Sequence, residues 1–145
     1  DARCRAYGIT HPTTFCYPGY RNGPAAVEVL RDRGFALARR GTDPEFPYNG
    51  EGGRGPAYDP TCHDPLLVPT TGAAGPAYSL DDFKWSVDQA TEGQVCVLTY
   101  HGVPDLDHAW VHVDPDVFTT HMRYLQDNAC KVIALRDLEC YVPLV

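Results

Sequence analysis

The sequence predicts an α/β fold with parallel strands, on three observations. Short runs rich in β-branched and aromatic residues alternate with stretches of helical periodicity, the order that right-handed βα units produce. The run Val95-Cys96-Val97-Leu98-Thr99-Tyr100 has no polar alternation, so it reads as a strand covered on both faces, as strands of parallel sheets are. It stops abruptly in His101-Gly102-Val103-Pro104-Asp105. That places a histidine where βα loops gather and where α/β folds put ligands and chemistry. An open sheet and part of a barrel both satisfy this pattern.

Residues 1–8 read as the end of a helix closed by Gly8, because glycine takes the left-handed cap conformation without steric cost. Thr13-Thr14-Phe15-Cys16-Tyr17 is a β-branched and aromatic strand stopped by Pro18-Gly19. Asn22-Gly23-Pro24 starts a helix with proline in its first turn. Ala26, Val27 and Leu30 give that helix an apolar face up to Gly34. Phe35-Ala36-Leu37-Ala38 is a second strand and Leu66-Leu67-Val68-Pro69 a third. Between them, residues 42–64 show no period and are rich in Gly, Pro, Asp, Glu and Tyr. A loop of that length in a compact domain is commonly a lid or a binding loop. Its Tyr48 and Tyr58 either face a ligand or anchor the loop to the body, and anchoring is the favoured reading.

Ser79-Leu80-Asp81-Asp82 has the spacing of a capping box, with aspartate in the usual glutamate position. Leu80, Phe83, Val87 and Ala90 then form one helical stripe, with Trp85 roughly opposite it, packed under a loop or facing a groove. Asp114-Pro115 joins an N-cap acid to an N1 proline, and Phe118, His121 or Met122, and Leu125 of the helix that follows face inward. Lys131-Val132-Ile133-Ala134-Leu135 is expected as the last strand, and residues 136–141 as a short closing helix.

A chain of 145 residues is the size of one domain. Its 19 acids against 12 bases give a net charge of −7, with no run of Lys or Arg, which argues against nucleic acid or an anionic membrane as partner. No apolar run approaches the ~20 residues that cross a bilayer. Cys4, Cys16, Cys62, Cys96, Cys130 and Cys140 include no C-x-x-C pair, which argues against a cysteine-built metal site. The even count permits three disulfides, whereas Cys16, Cys96 and Cys130, inside or beside apolar runs, look like small buried hydrophobes. No G-x-S-x-G elbow or P-loop occurs, and the glycine-rich stretch Gly50 to Gly55 has no strand before it and no helix after it, so serine-hydrolase, NTPase and dinucleotide readings lack support.

His101 with Asp105 is the strongest candidate pair. A histidine there can protonate a leaving amine or alkoxide near neutral pH, and the acid either orients it or caps the next loop. Asp105, Asp107, His108 and His112 have the composition of a metal-ligand set. Their spacing is not that of a helical zinc motif, and the intervening stretch does not fix ligand geometry, so no metal ligands are assigned. His121 reads as a core or boundary histidine. Phe15-Cys16-Tyr17-Pro18-Gly19-Tyr20 is either an ordinary aromatic turn or the wall of a groove.

Two of these stretches together suggest a family. Thr14-Phe15-Cys16-Tyr17-Pro18-Gly19-Tyr20, with its helix and Gly34-Phe35-Ala36-Leu37-Ala38, resembles the third motif region of polysaccharide deacetylases, the NodB-homology proteins of carbohydrate esterase family four. Val97-Leu98-Thr99-Tyr100-His101-Gly102-Val103-Pro104-Asp105 resembles their fifth motif, and the tail from Phe118 to Leu138 is similar to the closing part of such domains. The resemblance implies the carboxyl-terminal part of a distorted (β/α)7 TIM-like barrel, with catalytic loops at the carboxyl ends of its strands. It also implies metal-dependent removal of acetyl groups from the N-acetylated sugars of a polysaccharide or glycan. A divalent metal, often zinc, activates water in that chemistry, an aspartate is the base, and the fifth-motif histidine protonates the leaving amine. By this resemblance His101 is the general acid, and Tyr17, Pro18, Trp85, Tyr100 and Asp105 line the carbohydrate substrate.

The departures from the pattern carry their own expectations. The family's first motif, a Thr-Phe-Asp-Asp-Gly type strand end with the base and a metal-binding aspartate, does not occur here. Neither does its second, the His-x-x-x-His of the metal histidines, except for His108 and His112, which lie after the fifth motif. The chain therefore resembles the carboxyl-terminal portion of the domain, is expected to be inactive alone, and takes its zinc ligands from elsewhere. Cys16 stands at the third-motif arginine, Asp81 or Asp82 with Trp85 only approximates the fourth motif's acid-tryptophan pair, and Thr99 replaces a common leucine. A non-catalytic carbohydrate-binding or structural barrel remnant is the alternative. Open sheet edges in such a piece predict association or partial disorder.

Overall fold

The computed structural model describes residues 2–42 and 53–141. They fall into two compact units, one from Asp1–Arg40, Pro60–Val68 and Ala134–Val145, the other from Gly41–Asp59 and Pro69–Ile133. The fold is mixed α/β, with two short parallel strand pairs. The described strands do not close on one another.

The first unit contains α1 (Ala2–Ala6), β1 (Thr14–Cys16), α2 (Pro24–Asp32) and β2 (Leu37–Arg39). α2 is the crossover that lets β1 and β2 run parallel, with Thr14 opposite Leu37 and Cys16 opposite Arg39. Its start matches expectation, with Pro24 following Gly23. Its end is a Schellman turn: Gly34 sits at φ +73°, Phe35 N–H donates to the Leu30 carbonyl, and Gly34 N–H donates to that of Arg31. Tyr17, Val27, Leu30, Ala38 and Leu66 form the core, with Phe15 and Phe35 edge-to-face beside it.

The strand expected at Leu66-Pro69 is instead a 3₁₀ turn over Pro65–Leu67. Asp64 captures the Leu66 N–H at 2.8 Å, and only Val68 bridges to Arg39 of β2. The expected strand Lys131-Leu135 does not form either. Val132 is exposed, and the chain winds from Leu135 to Cys140 into a 3₁₀ helix that buries Leu138. β-branched residues favour a strand only where a neighbouring strand offers pairing, and no bridge reaches 131–134 among the described residues.

The second unit contains β3 (Gly72–Ala73), α3 (Leu80–Asp88), β4 (Leu98–Thr99) and α4 (Pro115–Asp127). α3 is the crossover between β3 and β4, where Gly72 pairs with Leu98 and Ala73 with Thr99. The expected capping box is present: Ser79 Oγ accepts from Asp82 N–H at 3.1 Å, and Asp82 accepts from Ser79 N–H at 2.9 Å. The buried face of α3 is Phe83 and Ser86, while Leu80 is exposed. Ser86 enters the interior because its hydroxyl is satisfied there, accepting from Tyr78 OH at 2.7 Å and donating to the Asp82 carbonyl. α4 begins as expected, with Asp114 accepting from the Asp116 N–H. It buries His121 and Leu125, with Phe118 and Met122 packed beside them.

The central run is less covered than its composition suggests. Only Leu98–Thr99 forms a strand, and residues 95–100 are half-buried. Tyr58, from the period-free stretch, is fully buried and bridges to Val95, so it anchors the chain as favoured. Tyr48 lies outside the described residues.

Candidate functional site

The candidate site is the loop from the end of β4 to the start of α4. Tyr100 continues β4 inward: its hydroxyl lies 2.9 Å from His121 Nδ1, and its ring meets Phe118 edge-on at 5.0 Å. The next residue alternates outward, as strand geometry requires. His101 is therefore exposed at the carboxyl end of a parallel strand, the position anticipated for it.

Asp105 organises the loop. Its Oδ2 lies 2.5 Å from His101 Nδ1 and its Oδ1 2.9 Å from His108 Nδ1, and Oδ1 also accepts the His108 backbone N–H at 2.9 Å. The Asp105 side chain is only 11% exposed, against 56% for His101 and 48% for His108. That partial burial pushes its pKa up. Hydrogen bonds from the His101 and His108 rings and from the His108 backbone outweigh it, so the carboxyl is held below its ordinary value. An ionised carboxylate only accepts hydrogen bonds, so each ring donates from Nδ1 and turns Nε2 away from it.

Gly102 makes this approach possible. A Cβ at position 102 would stand 2.6 Å from the Asp105 Cβ and 3.0 Å from its Oδ2. The loop closes through a bridge between Gly102 and His112 and a hydrogen bond from Val113 N–H to the Gly102 carbonyl. His112 Nδ1 lies 3.2 Å from both the backbone N and O of Asp105, so this ring braces the main chain instead of joining the cluster. The two histidines four residues apart are thus split: the His108 ring meets the Asp105 carboxylate and the His101 ring, and the His112 ring meets the Asp105 backbone. Trp110 stands edge-on to His108 at 5.2 Å and is largely exposed, as is Leu106.

Chemically, His101 and Asp105 form an oriented acid-base pair. The carboxylate fixes the ring's tautomer and direction, while the outer nitrogen faces solvent. The remaining anticipated residues sit elsewhere. Tyr17 lies in the core of the first unit, with its hydroxyl donating to the Leu66 carbonyl at 2.9 Å. Pro18 is exposed at the start of a 3₁₀ turn. Trp85 is half-buried beneath the Arg54 guanidinium, 4.8 Å from its ring centre, and Arg54 pairs with Asp82 at 2.7 Å. Cys4, Cys16, Cys96, Cys130 and Cys140 are free thiols. Cys16 is exposed and contacts Arg39 of β2, unlike the buried hydrophobe expected there, while burial pushes the Cys96 thiol up to about 12.

His121 is a core histidine, as its place on the helix stripe suggested. It stacks on Phe83 at 4.0 Å and 2°, its Nε2 is buried without a hydrogen-bond partner, and burial lowers its pKa. Gly102 was legible only as a neighbour of His101. No family model, curated protein or solved structure matches this chain.

Proposed function

We propose that this chain is the carboxyl-terminal portion of a polysaccharide-deacetylase-like barrel in which His101 is the general acid for removing acetyl groups from N-acetylated sugars. The observation that supports it is the His101–Asp105 pair at the end of β4, with Nδ1 held by the carboxylate. In the reaction a water oxygen bonds to the acyl carbon and its proton passes to solvent, and the amide C–N bond breaks. The sugar amine leaves with a proton from His101 Nε2, and acetate is released. Asp105 holds the ring in orientation for that transfer.

The divalent metal of the resembled family does not fit at its usual place. The aspartate and the two upstream histidines that would hold it have no counterpart in this sequence, so no step is derived through it. The second reading, a carbohydrate-binding module without catalysis, is favoured by Trp110, whose exposed ring beside His108 offers a stacking face for a sugar.

Acetate release from N-acetylated oligosaccharides by the full-length protein tests the first reading. His101→Ala is expected to lower kcat by roughly 10²–10⁴-fold with little change in KM. A wild-type protein that releases no acetate overturns the catalytic reading, and glycan binding lost on Trp110→Ala would then support the second.

A further inference from the structure

We infer that His101, Asp105 and His108 form a binding site for a borderline divalent transition-metal ion, of the Zn²⁺, Co²⁺ or Ni²⁺ type. The inference does not rest on the deacetylase reading, and these residues are not the metal ligands of the resembled family. One donor atom from each side chain lies within 4.8 Å of the other two. All three come from a single eight-residue stretch of one unit, so the set is placed by local geometry alone.

The donor types select the ion. Two imidazoles and one carboxylate suit zinc, cobalt and nickel, whereas calcium and magnesium demand a shell of oxygens. Three protein ligands also leave an outer position for water or substrate, the arrangement of an open zinc site. Tetrahedral bonds of ~2.1 Å separate donor atoms by about 3.4 Å, so closure on an ion needs side-chain movements on the order of 1 Å. Two half-exposed rings can supply that movement.

The surroundings are built to hold the carboxylate. The His108 N–H donates to Asp105 Oδ1, His112 braces the Asp105 backbone, and the missing Cβ of Gly102 gives the side chain its space. Such outer contacts orient ligands and tune their affinity. In the ion's absence, the two Nδ1 protons hold the carboxylate between the rings. Binding through Nδ1 requires each ring's proton to move to the outer Nε2 by exchange with solvent, and one cation then takes the place of the two Nδ1 protons. An imidazole bound to a metal no longer delivers a proton near neutral pH, so metal here would silence His101 as an acid.

The test is a Co²⁺ titration of the 145-residue chain, read by visible absorption, with Zn²⁺ as competitor. The expected result is one site whose spectrum shows nitrogen and oxygen ligation, with the His101 and His108 ring resonances shifting together on Zn²⁺ addition. His101→Ala, Asp105→Asn and His108→Ala should each weaken binding by at least about 100-fold, with unchanged far-UV circular dichroism. His63→Ala should leave binding intact. The inference fails if Co²⁺ does not bind at millimolar concentration. It also fails if thiolate-to-cobalt charge-transfer bands dominate, or if the His101→Ala and His108→Ala chains bind as tightly as wild type. Acetate release is a separate readout: a protein that deacetylates but does not bind Co²⁺ overturns this inference alone, and one that binds Co²⁺ without deacetylating overturns only the catalytic reading.

Discussion

The strand ends of β1 and β4 begin alike and finish differently. Each closes a short parallel strand and is followed within a few residues by glycine and proline, and each places a tyrosine just beyond the strand. After β1, Tyr17 is buried and its hydroxyl is committed to the Leu66 carbonyl. After β4, Tyr100 turns inward to His121, and the following residue, His101, is sent outward to Asp105. A strand end becomes a candidate site when it delivers a titratable group that the core does not consume and a nearby partner fixes its direction. An aromatic residue beside a Pro-Gly turn does not meet that condition by itself.

The sharpest way to break the contrast is to damage the packing behind each strand end. Phe83→Ala removes a fully buried ring that stacks on His121, and is expected to cost about 3–5 kcal/mol in urea unfolding. If the second unit tolerates that loss, the Phe83–His121 stack does not support Tyr100 and His101. Gly102→Ala forces a Cβ against Asp105 and is expected to cost roughly 1–3 kcal/mol. It should also shift the His101 and His108 ring resonances together. A variant with wild-type spectra would show that Asp105 does not need that space.

Tyr17→Phe strands the Leu66 carbonyl and is expected to lower stability by about 1 kcal/mol, read as a lower urea midpoint. It should leave glycan binding unchanged, because the hydroxyl serves the core. Lost binding with wild-type stability would return Tyr17 to the substrate side.

His121 adds a pH dependence confined to the second unit. Its ordinary value is 6.5, and burial lowers it in the fold. As pH falls the unfolded chain therefore takes up the proton first. The contribution is fully present above about pH 6.5 and is lost as pH drops through the lower folded value. Urea midpoints that fall between about pH 7.5 and about pH 5.5, and fall less in His121→Gln, would bear this out. The smallest expected effect is a gain: Ala129 holds a left-handed φ of +51° at the Schellman end of α4. Ala129→Gly should stabilise by roughly 0.5–1 kcal/mol, seen as a higher midpoint.

Features set by neighbours in sequence were legible in advance. The Gly34 cap, the Ser79–Asp82 box and the Asp114-Pro115 start all appear as anticipated. So does the place of His101 at a strand end with Asp105 in reach. Features that depend on distant partners were not. Lys131-Leu135 has strand composition but no strand to pair with among the described residues, and Leu66-Pro69 is diverted by the Asp64 carboxylate. The union of His108 with His101 depends on how the loop folds around Gly102. Spacing along the chain left Asp105, Asp107, His108 and His112 as one set without geometry, and the fold brings the His108 ring to the Asp105 carboxylate while His112 braces the Asp105 backbone.

The shared carboxylate makes Asp105 a single point of failure. Two rings take their direction from one side chain, so a change at position 105 is felt at 101 and 108 together. Substitutions at those two histidines should likewise combine non-additively, because removing one ring frees an oxygen that the other can claim. Selection on this loop would therefore act on the trio, and drift at any one of the three positions would be constrained by the other two.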